Sequence, residues 1–273
     1  MNEAVKKIIA MALAEDIPNQ DISSEYLFTD ETAFGRFIAK EAGVISGMLV
    51  CKEVFFQIDP TLEFNIIRND SEVVQKGEII ATVKGLTKSI LAAERVGLNF
   101  LQRMSGIATM TKAFVDQCQG SQTKILDTRK TTPLLRALEK QAVIHGGGMN
   151  HRMNLSDMVM LKDNHLHAAK SIIAAVDKVR ENLGKAYKIE VEVENLEQFH
   201  EALQSDCDII MLDNMSNEDM SKCVQLNQGK KMLEASGNMT LERIRSVAQT
   251  GVDFISVGGL THSYKSMDIS LKF

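Results

Sequence analysis

The stretch "KIEVEVENLEQFHEALQSDCDIIMLDN", Lys188–Asn214, decides the fold. Its first eight residues alternate, with Val191 and Val193 on one face of an extended chain and Glu190, Glu192 and Glu194 on the other. Its last eight contain the short apolar run "IIML", closed by Asp213. The residues between, "NLEQFHEALQS", follow a helical pattern. Apolar strand, helix, apolar strand is the signature of a parallel sheet covered by helices.

The same rhythm extends in both directions. Further β-type runs occur at "KILDT", "DMVMLKDN", "KKMLEASGN" and "VDFISVGG", separated by patterns such as "HAAKSIIAAVDKVRENL" and "TLERIRSVAQTG". Six such runs in about 135 residues favour an α/β barrel over an open sheet, although they fall short of eight. Each run ends in a polar residue or glycine, at Asp127, Lys162, Glu192, Asp213, Ser236 and Gly258. Functional groups gathered at strand C-termini mark the catalytic face of such a barrel. Before Leu126 the pattern differs. Up to about Gly85, β-rich pieces mix with a helix at "GMLVCKEVFFQI", and "SEVVQKGEIIATVKG" reads as a hairpin turning at Lys76-Gly77. The helical segment "TKSILAAERVGLNFLQRMSG" follows and is expected to end at Gly106.

Composition narrows the function. The 273 residues carry 31 Lys and Arg against 36 Asp and Glu, a net charge of −5, which argues against a nucleic-acid partner. Yet Leu126–His165 concentrates Arg129, Lys130, Arg136, Lys140, His145, His151, Arg152 and Lys162. Local cations on an acidic chain point to a small anion. The four cysteines, Cys51, Cys118, Cys207 and Cys223, have no metal-ligand spacing and suit a reducing compartment. The opening "MNEAVKKIIAMALAEDIPNQD" reads as an amphipathic helix and no run is long enough to span a membrane. The expectation is a soluble, cytoplasmic protein.

Several residues stand out as candidates. "LEASGNMT" and "FISVGGLTHS" place glycines at the ends of the last two strands, where backbone N–H groups can hold a phosphate; tight strand-to-helix turns would use the same glycines. Glu192, if inward, must be paired or metal-bound, whereas on an edge strand it would be solvated. Asp213 suits a ribose hydroxyl or Mg²⁺. Lys162 fits a Schiff-base nucleophile, an anion ligand, or an ion-pair partner of Asp163 or Glu192. In "TRKTTPLL", Thr132 is expected to cap a helix with Pro133 in its first turn, leaving Arg129 and Lys130 in the loop above the strand. Arg95 borders the apolar stripe of its helix and pairs there either with a ligand anion or with Glu94.

Taken together, "DTRKTTP", "GGGMNHR", "MLKDNH", "EVEVEN", "DIIMLDN", "LEASGN" and "GVDFISVGGLTHS", with "AEDIPNQDISSE" and "AERVGLNFLQRMSGIAT" upstream, closely resemble the quinolinate phosphoribosyltransferase family over essentially the whole chain. The resemblance implies an α/β protein with an N-terminal α/β sandwich domain, residues 1–105, and a C-terminal open seven-stranded α/β barrel, residues 106–273, whose last residues pack back on the first domain. It implies a decarboxylating glycosyltransferase that converts quinolinate and phosphoribosyl pyrophosphate to nicotinate mononucleotide, pyrophosphate and CO₂ with Mg²⁺, in de novo NAD biosynthesis. It also implies a homodimer at least, with shared active sites and no nucleic-acid or membrane partner. By the same resemblance Arg129, His151 and Arg152 clamp the diacid, and Arg95 reaches in from a neighbouring subunit. Lys130 and Lys162 lie near the acid groups and the pyrophosphate, Glu192 and Asp213 hold ribose hydroxyls and metal, and Lys130, Lys162, Glu192 and Asp213 act in catalysis. Ser236, Gly237, Gly258 and Gly259 fall on the 5′-phosphate site. The chain departs from the family pattern at Leu134, where glycine is common, and at Asn238, where many members have a second glycine. Three other readings remain: a related phosphoribosyltransferase associated with molybdate transport, a Schiff-base aldolase using Lys162, and a silent sensor of phosphorylated metabolites.

Overall fold

A computed structural model describes residues 1–169 and 171–273, with the side chain of His167 also left out. In chain order the first elements are α1 (Glu3–Asp16), α2 (Ile22–Leu27), β1 (Thr32–Ala39), β2 (Gly43–Val44), α3 (Met48–Ile58), β3 (Glu63–Ile66), β4 (Val73–Val74) and β5 (Ile79–Leu86). Next come α4 (Thr87–Gln117), β6 (Lys124–Leu126), α5 (Arg136–His145), β7 (Val159–Leu161), α6 (Asp163–Ala169), α7 (Ile172–Leu183) and β8 (Ile189–Val193). The chain ends with α8 (Leu196–Gln204), β9 (Ile209–Asp213), α9 (Asn217–Asn227), β10 (Met232–Ser236), α10 (Leu241–Ala248), β11 (Phe254–Ser256), α11 (Gly259–His262) and β12 (Ile269–Lys272). No described helix is long and apolar enough to cross a membrane.

Contacts divide the chain into two units, 1–112 with 131–147 and 263–273, and 113–130 with 148–262. The first unit holds an antiparallel sheet in the order β12-β1-β5-β3. Its core is aromatic: the rings of Phe37, Phe55 and Phe64 lie 5.4–5.6 Å apart in edge and tilted contacts, each such contact contributing about 0.5–1.5 kcal/mol beyond its buried area. The hairpin expected around Lys76-Gly77 does not form. Gly77 does turn, at φ +93°, but β4 pairs with β2, while β1 and β3 occupy both edges of β5. Nor does the long helix stop at Gly106, because α4 runs on to Gln117. A Cβ on Gly106 would lie 2.3 Å from the Lys265 carbonyl oxygen, so this glycine allows close packing rather than a helix end. The cap expected at Thr132 is also absent. The backbone turns at residues 133–135, with Leu134 at φ +67°, and α5 begins only at Arg136. A left-handed residue cannot continue a right-handed helix.

The second unit is a parallel sheet in the order β6-β11-β10-β9-β8-β7, and all six runs identified in the sequence are strands of it. An isolated parallel bridge, Leu126 to Met149, adds a seventh segment on the outer edge of β6. Among the described residues no pairing joins that segment to β7. Helices pack by narrow apolar stripes, Phe199 and Ala202 of α8 and Ile244 and Val247 of α10 being buried. Short polar residues at strand ends also start the helices. Just past β8 and β9, Asn195 and Ser216 each accept a backbone N–H from the first turn of α8 and α9. Strand ends and helix starts therefore coincide, which gathers polar side chains at one end of the sheet.

Candidate active site

A cavity of about 740 Å³ opens at that end. Every strand of the sheet supplies its wall from its own C-terminus. Thr128, Arg129 and Lys130 come from just beyond β6, Lys162 from β7, Glu192 from β8, and Asp213 and Asn214 from β9. Glu234, Ser236, Gly237 and Asn238 come from β10, and Ser256, Gly258, Gly259 and His262 from β11 and the turn after it, while His151 and Arg152 follow the bridge. Eleven of the twelve residues singled out in the sequence thus meet in one place; Arg95 lies on α4 in the other unit, exposed. Of the eight cationic residues named in the stretch Leu126–His165, five line the cavity. Arg136, Lys140 and His145 belong to the other unit, where Lys140 is fully buried and His145 contacts the Ser46 hydroxyl at 2.8 Å.

Burial along β8 grades from floor to rim. Glu190 is fully buried, Glu192 is half-buried and Glu194 is exposed. Lys162 resolves to an ion-pair partner, its Nζ lying 2.6 Å from Glu192 Oε2. Arg152 is anchored by an Nη1 bond to the Met158 carbonyl at 3.0 Å, and burial, then the like charge of Arg129, press its pKa downward. Lys130 and His262 lean over Gly258: a Cβ there would stand 3.1 Å from both side chains. The glycine thereby lets two cationic or polar groups close over the backbone N–H groups of the last strand turn.

At the floor the sequence reading was incomplete. His151 Nδ1 accepts the backbone N–H of Arg152 at 2.7 Å. Its Nε2 lies 2.9 Å from Glu190 Oε2 and 3.5 Å from Glu234 Oε2, while the His151 backbone N–H donates to Asp127 Oδ1 at 2.9 Å. Both oxygens of Glu190, Oε1 of Glu234 and the Ser256 hydroxyl are buried without a hydrogen-bond partner. Burial pushes Glu234 up to about 8, reinforced by the charge of Glu190, and burial pushes Glu190 to about 7. A carboxyl–carboxylate pair sharing one proton accounts for adjacent acids in such a place. The ligand atoms of His151, Glu190 and Glu234 lie within 4.8 Å of one another, so a small cation is the other way to neutralise them. Glu234 is inconspicuous in the sequence because "MLEAS" reads as an apolar strand; its spacing of two from Ser236 is the signal that marks it.

Comparison with known proteins gives the same answer from a separate direction. Residues 21–105 match the family "Quinolinate phosphoribosyl transferase, N-terminal domain" and residues 107–272 match its C-terminal domain. The chain is 42% identical to a probable nicotinate-nucleotide pyrophosphorylase [carboxylating] of Bacillus subtilis, over 98% of this chain and 92% of that one. It is 44% identical to a chloroplastic nicotinate-nucleotide pyrophosphorylase [carboxylating] of Arabidopsis thaliana, over 98% of this chain and 82% of the relative. Among solved structures, NadC from Streptococcus pyogenes superposes with a TM-score of 0.96 at 41% identity, covering 98% of this chain and 95% of that one. Sequence motifs, fold and cavity converge, and the chain belongs to the quinolinate phosphoribosyl transferase family.

Proposed function

We propose that the cavity binds quinolinate and phosphoribosyl pyrophosphate together and makes nicotinate mononucleotide, pyrophosphate and CO₂. The observation that carries this reading is the shared lining: Arg129, Lys130, His151, Arg152 and Lys162, the acids Glu192 and Asp213, and the glycines Gly237, Gly258 and Gly259 all border one cavity of about 740 Å³. A pyridine diacid and a sugar carrying phosphate and pyrophosphate need that many donors, while developing positive charge on the sugar needs the two acids. The ring nitrogen has a free lone pair, so the first step requires no general base. Positioning over the anomeric carbon supplies much of the rate. Arg129 and Arg152 hold the diacid, and Lys130 and Lys162 stabilise charge on its carboxylates and on the departing pyrophosphate. Ser236, Gly237, Gly258 and Gly259 receive the 5′-phosphate. Alkylation makes the ring nitrogen an electron sink, so the adjacent carboxylate leaves as CO₂ and a proton takes its place on carbon.

Mg²⁺ fits the residues present. Glu192 and Asp213 line the cavity as oxygen donors, each with one oxygen already bonded, to Lys162 and to Asn214, and the other open, which suits a hard cation shared with substrate oxygens. When bound, the ion would neutralise pyrophosphate charge. Arg95, exposed on α4, would complete the site of a neighbouring subunit in an assembly of at least two chains. Inactive Arg95→Ala and Lys162→Ala proteins would then recover partial activity on mixing; no recovery after demonstrated subunit exchange excludes the shared site. The reaction is tested by CO₂ release from carboxyl-labelled quinolinate, omitting phosphoribosyl pyrophosphate or Mg²⁺ in turn. Release that needs all components, matched by equal nicotinate mononucleotide, supports the reading, and none from folded protein overturns it.

A further inference from the structure

Two loops of the cavity wall are tied together by side chains that the reaction does not itself require. After β9 the chain turns through Asn214 at φ +54°, and after β10 through Gly237 at φ +88° and Asn238 at φ +48°. Two contacts cross from one turn to the other, and a third continues the chain to Asp213. The Asn214 backbone N–H donates to the Ser236 carbonyl at 3.0 Å, the Asn238 side-chain amide donates to Asn214 Oδ1 at 3.1 Å, and the Asn214 amide donates to Asp213 Oδ2 at 2.7 Å. Gly237 presses against the middle of this chain, since a Cβ there would fall 2.1 Å from Asn214 Oδ1. Beneath, Arg243 clamps both loops by donating to the Gly237 carbonyl at 3.1 Å and the Met215 carbonyl at 2.9 Å.

We infer that Asn214 and Asn238 are positioning residues that hold the Asp213 carboxylate to the glycine turn at Gly237, so that the phosphate end and the ribose end of one ligand are received by a single rigid element. The chemistry follows from directionality. Each asparagine offers one acceptor and one amide donor group, and here the donors run one way, from Asn238 to Asn214 to Asp213. Asp213 Oδ2 is thereby occupied, leaving Oδ1 as the oxygen presented to a hydroxyl or a hard cation. The left-handed backbone at all three turn residues explains the residue types, because asparagine and glycine adopt it at least cost. Arg243 fixes the carbonyls, so the relay has no freedom to slide.

The inference rests on the proposal that the cavity binds phosphoribosyl pyrophosphate, and the test separates the two. Its core is a double-mutant cycle of Asn238→Gly and Asn214→Gly, both substitutions tolerating the left-handed backbone. The readouts are the dissociation constant of phosphoribosyl pyrophosphate with Mg²⁺, by calorimetry, and the melting temperature. Asn238→Gly alone should weaken binding roughly three- to tenfold, the value of one hydrogen bond, without lowering the melting temperature. In an Asn214→Gly background the same change should cost nothing further, because the relay is already cut. Additive losses would mean that Asn238 acts only by touching the ligand, and would overturn the relay, as would an unaffected single variant. If wild-type protein fails to bind the sugar donor, the functional reading falls, and a crystal structure of Asn214→Gly decides the positioning claim. An Asp213 carboxylate that swings away supports it; one that stays in place refutes it.

Discussion

Each unit of the molecule buries carboxylates, and the two treat them oppositely. Glu139, fully buried on α5, accepts Arg103 through both Nε and Nη2 and the Thr132 backbone N–H at 3.0 Å. Arg103 in turn bonds the Thr132 hydroxyl and stacks on Tyr264, 5.0 Å from its ring centre. Glu190 and Glu234, equally buried beneath the cavity, face one ionisable side chain, His151, and make no hydrogen bond through three of their oxygens. A buried charge whose donors are all in place stabilises one conformation. A buried acid left short of donors costs stability unless it is neutralised. Its persistence under a cationic cavity is therefore better explained by function than by folding, and the contrast is open to experiment from both sides.

The largest effect expected is on the satisfied side. Glu139→Ala strips the Arg103 guanidinium and the Thr132 amide of their acceptor. Because the Arg103 side chain remains a quarter exposed, the loss should lie near the lower end of that for a broken buried pair, about 3 kcal/mol. Urea unfolding measures it. A loss below about 1 kcal/mol would show that water reaches this pair and would dissolve the contrast.

On the unsatisfied side the sign reverses. Glu234 is raised from an ordinary 4.5 to about 8 in the folded chain, so between those values the folded state binds a proton that the unfolded state releases. Its stabilising contribution is full below about pH 4.5 and is lost progressively as pH rises through about 8. Glu234→Gln keeps the shape and removes the titration. The variant should match the wild type near pH 5 and exceed it by about 1–3 kcal/mol at pH 8.5. A constant difference across that range would mean that the acids do not share a proton, and a chelator-sensitive difference would assign their neutralisation to a cation.

The same contrast explains what could be read from the sequence. Strands were readable because apolar runs such as "IIML" and the alternation of "EVEVE" are local patterns, and the cavity cations were readable because they follow those runs directly. Partnerships across the chain were not. Nothing near Glu139 announces Arg103, 36 residues away, and in "LEAS" only the spacing of two from Ser236 sets Glu234 apart. Gly106 and Thr132 misled for a related reason: each carries a familiar local signal, a helix stop and a helix cap, that distant packing overrides. For Gly106 the override is the Lys265 backbone pressed against α4. For Thr132 it is Glu139 and Arg103, which occupy its N–H and hydroxyl.

Leu134 gives the smallest effect and a sharp one, because it breaks the rule that strain is compensated nearby. It sits at φ +67°, a conformation costing a residue with a Cβ about 1–2 kcal/mol, and its side chain is 73% exposed, so burial returns little. Leu134→Gly removes that strain but also loosens the unfolded chain by about 0.4–1 kcal/mol. The net change should be a stabilisation of about 0.5 kcal/mol, seen as a small rise in melting temperature that is independent of protein concentration. A destabilisation instead would mean that the leucine is covered when chains associate. In that case the loss would shrink on dilution below the dissociation constant of the assembly, and Leu134 would mark a contact between subunits rather than an uncompensated turn.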